Sequence, residues 1–255
     1  MRAQKMFVMI ALAFAVATTA AADQGFETLD FPTANGIEAR ADFYGKKDGT
    51  APLIVLFHQA GWSRGEYRDI APKLEKAGYR VLAVDQRSGR GVNGVANVTS
   101  KRAKRKKLPS GYLDAYADLV AALDYAKANL NAPQAIVWGS SYSASLVIRL
   151  AAEESSRVRA VLSFSPGEYF KKAEGPDYVQ RHAKQVKQPL FVTSSKTERE
   201  QVKPLFDAAP AEKKILFTPA SAGRHGSRAL WSKSPDNDVY WAAVNGFLQT
   251  YAPAK

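Results

Sequence analysis

The spacing of apolar residues changes along the chain, and this change predicts the elements. Residues 26–31 and 37–44 alternate between apolar and polar side chains, which predicts an antiparallel hairpin at a sheet edge. Later apolar runs are continuous, as in strands that are covered on both faces. These predicted strands are residues 52–57, 79–85, 134–139, 158–165, 189–195 and 213–219.

Segments with helical spacing separate these buried strands. The predicted helices are residues 64–78, 112–130, 143–154 and 238–252. Such alternation predicts an α/β fold, in which a doubly wound, mostly parallel sheet carries helices on both faces. Residues 166–188 leave room for one helix and a loop, so no large lid domain is expected.

The longest connection between predicted elements, from Gln86 to Ser110, contains the basic run KRAKRKK at Lys101–Lys107. This run contributes much of the formal net charge of +12. A charge run of this kind is most simply a solvated loop, and we expect part of the connection to be disordered near the entrance of a site. Nucleic-acid binding is not expected, because the run has no interleaved aromatic residues and belongs to no recognisable binding module.

The N-terminal residues are organised like a secretory signal peptide. Arg2 and Lys5 precede the apolar run MFVMIALAFAVA, and small residues follow it. This run is shorter than the roughly 20 residues that span a membrane, although an uncleaved anchor is the alternative. We predict cleavage of residues 1–22 after Ala22. Residues 23–255 would then form a single periplasmic or secreted domain, without stable membrane insertion and, lacking cysteine, without disulfides.

The stretch WGSSYSAS, which begins within the strand 134–139, contains a candidate nucleophile. A strand, then Gly-x-Ser-x and a small residue, then a helix is the order of a nucleophile elbow. With Gly139 before it and Ser143 after it, the reactive residue would be Ser141. The alternative is that these small residues only begin a helix.

A nucleophilic serine requires a base, and the chain has three histidines. His225 lies past the last predicted strand, where a base would meet a nucleophile on a central strand. His182 lies in a polar, helix-like stretch and is expected to be exposed. His58, directly after the first buried strand, more simply braces the turn there.

An oxyanion hole requires two backbone N–H groups aimed at the reacting centre. Tyr142, which follows the nucleophile, and Ala60, in the turn after the first buried strand, are the candidates. His58, Gln59 and Trp62 lie in the same turn and are candidates for contact with a substrate.

Five motifs occur in an order that is familiar from one fold family: FHQAG, VLAVDQRSGRG, WGSSYS, FVTSSKTE and GRHGS. From Pro52 to the C-terminus the chain resembles the α/β-hydrolases, and within them the dienelactone hydrolase-like serine esterases. It departs from the family pattern at Ser143 and Gln59, where glycine is usual. Asp85 and Arg87 match a turn that such folds keep for packing, so we assign them no chemistry.

The resemblance also implies an acid that orients His225. In this family the acid usually stands three residues past a glycine that ends a late strand. Ser195 occupies that glycine position, which favours Glu198. Glu168, after the strand 158–165, is the alternative acid, because some members place the acid after the earlier strand.

The resemblance implies a serine hydrolase that forms an acyl-enzyme with a small or short acyl substrate. The basic net charge of the chain favours an anionic substrate. No metal site is evident, and no cofactor is expected. Nothing in the sequence separates an ester from an amide, so a peptidase or amidase stays open. A catalytically silent protein of the same fold, which binds anionic envelope polymers, is a further alternative.

Overall fold

A computed structural model describes residues 25–254. Its strands are β1 Glu27–Pro32, β2 Glu38–Tyr44, β3 Leu53–Phe57, β4 Arg80–Val84, β5 Gly91–Val92, β6 Val95–Ala96, β7 Ala135–Ser140, β8 Val158–Phe164, β9 Leu190–Thr193 and β10 Lys214–Phe217. Eight of them form one sheet in the order β1-β2-β4-β3-β7-β8-β9-β10, while β5 and β6 pair separately. Among the described strands of the large sheet, β2 is antiparallel to both of its neighbours, β1 and β4. All other neighbouring strands of this sheet are parallel.

The burial of the strands follows their sequence patterns. Every residue of β3, β4 and β7 is buried, as the continuous apolar runs predicted. In β1 buried and exposed residues alternate over its second half, because this edge strand has one face in the core and one in water. The hairpin of β1 and β2 therefore closes one edge of the sheet.

The helices are α1 Ala71–Lys76, α2 Val98–Arg105, α3 Tyr116–Asn129, α4 Tyr142–Glu153, α5 Lys171–Glu174, α6 Tyr178–Ala183, α7 Arg199–Ala208 and α8 Asn237–Tyr251. Side chains of α3, α4, α6 and α7 form one apolar core with the sheet. Side chains of α1 and α8 form a second core on the opposite face. The predicted α/β fold, with a mostly parallel sheet and helices on both faces, is confirmed.

The predicted helix over residues 64–78 is interrupted in the structure. A 3-10 turn, Arg64–Tyr67, precedes the shorter helix α1. Pro72 stands in the first turn of α1 and has no N–H to donate to a preceding turn. Helix α1 therefore begins at Ala71, with the proline in its first turn, and does not continue back to residue 64.

The expectation of a partly disordered, solvated loop between Gln86 and Ser110 is wrong. This connection contains the β5–β6 hairpin and helix α2, on which much of the basic run lies. The Asn97 side chain accepts a hydrogen bond from the Ser100 amide at 2.8 Å and so caps α2. Arg102 forms an ion pair with Asp30 at 2.7 Å. The Asn97 cap and the ion pair with Asp30 order the segment, and neither can be predicted from the spacing of apolar residues.

Residues 166–188 contain two short helices, α5 and α6, where one was expected, and no lid domain. His182 on α6 is partly buried rather than exposed. No helix within residues 25–254 is long and apolar enough to cross a membrane. The predicted signal peptide, residues 1–22, lies outside the described range.

Candidate active site

Ser141 stands at the junction of β7 and α4 in a strained backbone conformation. Its φ is +60° and its ψ is −122°, a region that residues with a side chain rarely adopt. Gly139 is required on the strand side, because a Cβ there would lie 2.2 Å from the carbonyl oxygen of Ser143. The chain thus turns sharply enough to present Ser141 at the carboxyl end of a central strand, as a nucleophile elbow does.

Ser143, which replaces the glycine that closes the usual motif, has a defined place in this elbow. Its hydroxyl donates to the carbonyl oxygen of His58 at 2.6 Å and accepts a hydrogen bond from the Gln86 side-chain amide. Its side chain is fully buried, and its hydroxyl is hydrogen-bonded. The departure from the family pattern therefore leaves the elbow intact and links it to β3 and β4.

The structure brings His225 and Glu198 together. Nδ1 of His225 is hydrogen-bonded to Oε1 of Glu198. Oε2 of Glu198 accepts from the hydroxyl of Ser165 at 2.9 Å and from the hydroxyl of Ser195 at 2.8 Å. Burial raises the pKa of Glu198, but the hydrogen bonds from His225 and Ser195 outweigh it and hold the pKa at about 2. An ionised Glu198 favours the proton of neutral His225 on Nδ1, which leaves Nε2 as the basic nitrogen.

The alternative acid, Glu168, has other partners. Its two carboxylate oxygens accept hydrogen bonds from the amides of Val179 and Gln180, each at 2.9 Å. These amides belong to the first turn of α6, where orphan N–H groups are satisfied by a negative charge. Glu168 therefore caps α6, and the structure places Glu198 rather than Glu168 against His225.

Two hydrogen bonds fix the loop that carries His225 beside the elbow. The Gly226 amide donates to the hydroxyl of Ser165 at 3.0 Å, and the Ser227 amide donates to the hydroxyl of Ser140 at 2.9 Å. Gly226 has a φ of +69°, and a Cβ there would lie 2.5 Å from the Ser140 hydroxyl. Only glycine permits this approach, which sets His225 next to the strand end that bears Ser141.

The backbone amides proposed for an oxyanion hole belong to the nucleophile elbow and to the turn after β3. Tyr142 is the first residue of α4, where an amide has no partner within the helix. In the turn after β3, the Gln59 amide donates to Oε2 of Glu66 at 2.7 Å, so it is not available to an oxyanion. Ala60, the next residue, borders an open cleft.

His58 does not reach that cleft, which corrects its prediction as a substrate contact. The side chain is completely buried, and Nε2 accepts a hydrogen bond from the Gln86 amide at 3.1 Å. Nδ1 therefore carries the proton and donates to the carbonyl oxygen of Gln59 at 2.9 Å. Burial lowers the pKa of His58 to about 4. This neutral imidazole braces the turn.

Gln59 and Trp62 remain at the site. Oε1 of Gln59 is a buried acceptor without a hydrogen-bond partner among residues 25–254, and it faces Gly226 of the His225 loop. The Trp62 ring is half-buried, borders the cleft and stacks on Trp231 with ring centroids 5.3 Å apart. The Trp62 ring can therefore meet a ligand in the cleft, whereas Oε1 of Gln59 points into the protein toward the His225 loop.

The cleft beside Ala60 has a volume of about 520 Å³ and is strongly basic. Arg90 and Lys104, the latter from helix α2, border it. Arg87 also reaches the cleft, but its guanidinium is hydrogen-bonded to the buried carboxylate of Asp118 at 2.6 Å and 3.0 Å. Arg87 thus has the structural role that its sequence position suggested, which leaves Arg90 and Lys104 for an anionic group.

Two residues near the nucleophile were not predicted from the sequence. Tyr169 donates to the carbonyl oxygen of Ser165 at 2.8 Å, and its hydroxyl also interacts with the Ser141 side chain. It borders a second cleft of about 570 Å³ with Lys171 and Lys172. The loop SPGEY follows a strand end, which is the only sequence signal that could have indicated Tyr169.

Glu66 is the second unpredicted residue. It lies on the 3-10 turn Arg64–Tyr67, is fully buried, and accepts hydrogen bonds from the Gln59 amide and the Ser140 hydroxyl. Burial raises the pKa of Glu66 to about 7. In the sequence it is one glutamate in an apparently amphipathic helix, so no signal marks it as buried. Within residues 25–254, no cluster of three or more histidine or acidic side chains could hold a metal ion.

Comparison with solved structures agrees with this architecture. The chain is similar to an esterase from Pyrococcus furiosus, at 20% identity over 89% of this chain and 92% of that one, with a TM-score of 0.66. It is similar to a dienelactone hydrolase from Anabaena variabilis, at 16% identity over 89% and 97% of the two chains, with a TM-score of 0.67. Est1E from Butyrivibrio proteoclasticus, with ferulic acid bound, covers 88% and 98%, at 14% identity and a TM-score of 0.68. These similarities define an α/β-hydrolase fold.

A family profile described as Serine aminopeptidase, S33 matches residues 49–220. Because this match covers most of the chain, the protein belongs to that family of α/β-hydrolases. No curated protein matches the sequence significantly. The family match and the fold together place the chain among the α/β-hydrolases, and esterases are among its structural neighbours.

Proposed function

We propose that this protein is an exported serine hydrolase that cleaves a carboxylic ester through an acyl-enzyme. Ser141 is the nucleophile, His225 the general base and Glu198 the acid that orients it. The observation that carries the proposal is the hydrogen-bonded pair of His225 and Glu198, held beside a serine in a strained elbow. A silent binding protein would not need this pair, which counts against that alternative.

The proposed reaction has two halves. The Ser141 hydroxyl oxygen attacks the ester carbonyl carbon while Nε2 of His225 takes its proton. The amides of Tyr142 and Ala60 stabilise the resulting oxyanion. The tetrahedral intermediate then expels the alcohol, which receives the proton from His225. A water molecule, deprotonated by His225, then attacks the carbonyl carbon of the acyl-enzyme. The second tetrahedral intermediate breaks its bond to the Ser141 oxygen, which takes the proton back from His225, and the carboxylic acid leaves.

Two basic clefts near the proposed catalytic groups, one bordered by Ala60 and the other by Tyr169, support a small, anionic ester as substrate. Within residues 25–254 the segment after β8 forms two short helices and no lid domain, and Ser141 itself is 7% exposed. Arg90 and Lys104 border one cleft, and Lys171 and Lys172 border the other. Est1E, a structural neighbour, has ferulic acid bound in its structure. We therefore expect an ester whose acyl or alcohol part carries a negative charge.

A peptidase or amidase is the second candidate, and the family description favours it. The same three residues can form an acyl-enzyme from an amide, so the triad does not separate the two. A matched panel of p-nitrophenyl esters, p-nitroanilides of the same acids and free-amine dipeptides would decide between them. The esterase proposal predicts that the esters are cleaved with the highest kcat/KM.

A fluorophosphonate probe tests the nucleophile. We expect the mature protein to be labelled, with the modified peptide carrying the probe on Ser141. Ser141→Ala should abolish labelling and leave the unfolding temperature unchanged within about 2 °C, because the residue contributes little to packing. Ser140→Ala is the control for the register, and its labelled peptide should still be modified at Ser141. Absence of any labelling, or labelling at Ser140, would contradict the assignment.

A further inference from the structure

The carboxylate of Glu66 is buried beside the proposed catalytic groups without taking part in their chemistry. Its side chain is completely buried, and its favourable interactions are with the Ser140 hydroxyl, the amides of Gln59 and Ser227, and the charge of Arg228. A buried carboxylate that forms no salt bridge costs free energy of folding. Stability therefore gives no reason for a carboxylate at this position.

The hydrogen bonds of Glu66 link the segments that carry the proposed catalytic groups. Oε2 accepts from the Gln59 amide at 2.7 Å, one residue before Ala60. Oε1 accepts from the Ser140 hydroxyl at 2.7 Å, one residue before the nucleophile.

The same hydroxyl of Ser140 accepts from the Ser227 amide at 2.9 Å, two residues after His225. We call the Glu66 carboxylate and the Ser140 hydroxyl together the Glu66–Ser140 clamp. Through these hydrogen bonds the clamp reaches the oxyanion turn, the nucleophile elbow and the histidine loop.

We propose that Glu66 is a positioning residue, which sets the Ala60 amide relative to Ser141 for the transition state. This inference rests on the proposed serine-hydrolase function. Glu66 does not touch the reacting atoms, and it acts through the turn that it anchors. An oxyanion-hole donor stabilises the developing charge only when it is held within a few tenths of an ångström, so a misplaced turn lowers kcat more than it weakens ground-state binding.

Glu66→Gln tests the clamp with a side chain of nearly the same shape. Glutamine has one acceptor oxygen and one donor group, so unlike the Glu66 carboxylate it cannot accept both hydrogen bonds of the clamp. The variants are compared at about pH 8, where the wild-type side chain is the carboxylate. With p-nitrophenyl acetate we expect kcat to fall about tenfold and KM to change less than about twofold, since the loss concerns the transition state. Glu75→Gln, on helix α1 away from the clamp, is the matched control and should keep both constants.

Ser140→Ala tests the same clamp from its other end. We expect kcat to fall about fivefold at unchanged KM, and the double variant with Glu66→Gln to lose little more than Glu66→Gln alone, because both changes break one hydrogen-bonded unit. A merely structural role predicts a lower unfolding temperature with kcat of the folded fraction unchanged. If Glu66→Gln does not fold, Ser140→Ala decides the question, and wild-type kcat in that variant would overturn the positioning role.

Fluorophosphonate labelling separates failure of this inference from failure of the proposed function. If the wild-type protein is not labelled at Ser141, the serine-hydrolase proposal is wrong and the clamp has no catalytic group to position. If the wild-type protein is labelled and Glu66→Gln is labelled at the same rate with the same kcat, only the positioning role is overturned. Slower labelling of Glu66→Gln, with wild-type kinetics in Glu75→Gln, supports it.

Discussion

At the scale of single residues, the site is organised by three glutamates whose carboxylates have different partners. Glu198 faces His225 and is ionised, Glu168 caps α6, and Glu66 is buried between Gln59 and Ser140. The same side chain can therefore be an acid that orients a base, a helix cap or a buried anchor, depending on what donates hydrogen bonds to it.

The first prediction separates Glu198 from Glu168. Glu198→Gln should lower the acylation rate at least about a hundredfold, because an uncharged amide no longer stabilises the imidazolium or fixes its tautomer. Glu168→Gln should lower it much less, since only the cap of α6 is disturbed. Burst kinetics with p-nitrophenyl acetate and circular dichroism would measure rate and folding. The reverse ranking of the two variants would move the acid to Glu168.

The second prediction concerns the pH dependence of stability through Glu66. Burial raises its folded-state pKa from 4.5 to about 7, so between these values the folded protein holds a proton that the unfolded chain has lost. The contribution of Glu66 to the free energy of unfolding is therefore fully present below about pH 4.5. It declines as the pH rises from there through about 7, by up to about 1.4 kcal/mol per pH unit. Glu66→Gln removes this decline.

Urea denaturation at pH 5, 6 and 7 measures the effect. The free energy of unfolding of Glu66→Gln minus that of the wild-type protein should increase with pH over this range. Arg228 is a charged neighbour that faces Glu66 from the turn Ser227–Leu230. Burial raises the pKa of Tyr67, on the same turn as Glu66, well above its ordinary value, so this group stays protonated from pH 5 to 7. A difference that stays constant from pH 5 to 7 would contradict a raised pKa.

At the scale of elements, the packing of β7 against α4 makes the elbow intolerant of a side chain at Gly139. A Cβ there would meet backbone atoms of Ser143, which cannot rotate away. Gly139→Ala should lower the free energy of unfolding by about 3 kcal/mol and slow fluorophosphonate labelling.

Gly246, in the exposed part of α8, offers the matched control. A Cβ at this position has no neighbouring atom within 4 Å. Gly246→Ala should therefore stabilise the protein by up to about 1 kcal/mol, as alanine is the better helix former. Equal destabilisation by the two substitutions, measured by urea denaturation, would show that the close approach at Gly139 does not exist.

Helix α2 gives a further prediction at this scale, because it presents part of the basic run near the cleft. Replacing the lysines of the run, Lys101, Lys104, Lys106 and Lys107, with glutamine should reduce the salt dependence of kcat/KM for an anionic ester. The reason is that steering of charged substrates weakens as salt shortens the Debye length to about 8 Å near physiological ionic strength. A neutral ester of similar size is the control, and an equal effect on both esters would exclude steering.

At the scale of the whole molecule, the site collects at the carboxyl ends of β7, β8 and β9 and in the loop after β10. Ser141 follows β7, Ser165 follows β8, and Glu198 follows β9. Parallel strands end on the same edge of a sheet, so residues far apart in sequence meet there. The two apolar cores hold this edge rigid from both sides.

The last prediction concerns export, which we propose from the sequence of the N-terminus. The protein isolated from its own envelope should begin at Asp23, because a signal peptidase cleaves after the small residues that end at Ala22. Intact-mass measurement on the purified protein checks this. A mass that retains residues 1–22 would overturn the proposal of export with cleavage.

The sequence alone was enough to predict most of the fold, for a physical reason. Strands buried on both faces need continuous apolar runs, and helices on a sheet need one apolar face, so both patterns are local. The same holds for Ser141, because the demand for small residues around it acts within five positions. These features need no knowledge of distant partners.

Only the tertiary structure decided the features that depend on partners distant in the sequence. The sequence favoured Glu198 and kept Glu168 as the alternative acid, and only the folded chain shows which one receives a hydrogen bond from His225. Glu66 reads as an ordinary helical glutamate until the sheet brings Gln59 and Ser140 to it. Long-range hydrogen bonds and burial set such roles, and neither is encoded in the spacing of neighbouring residues.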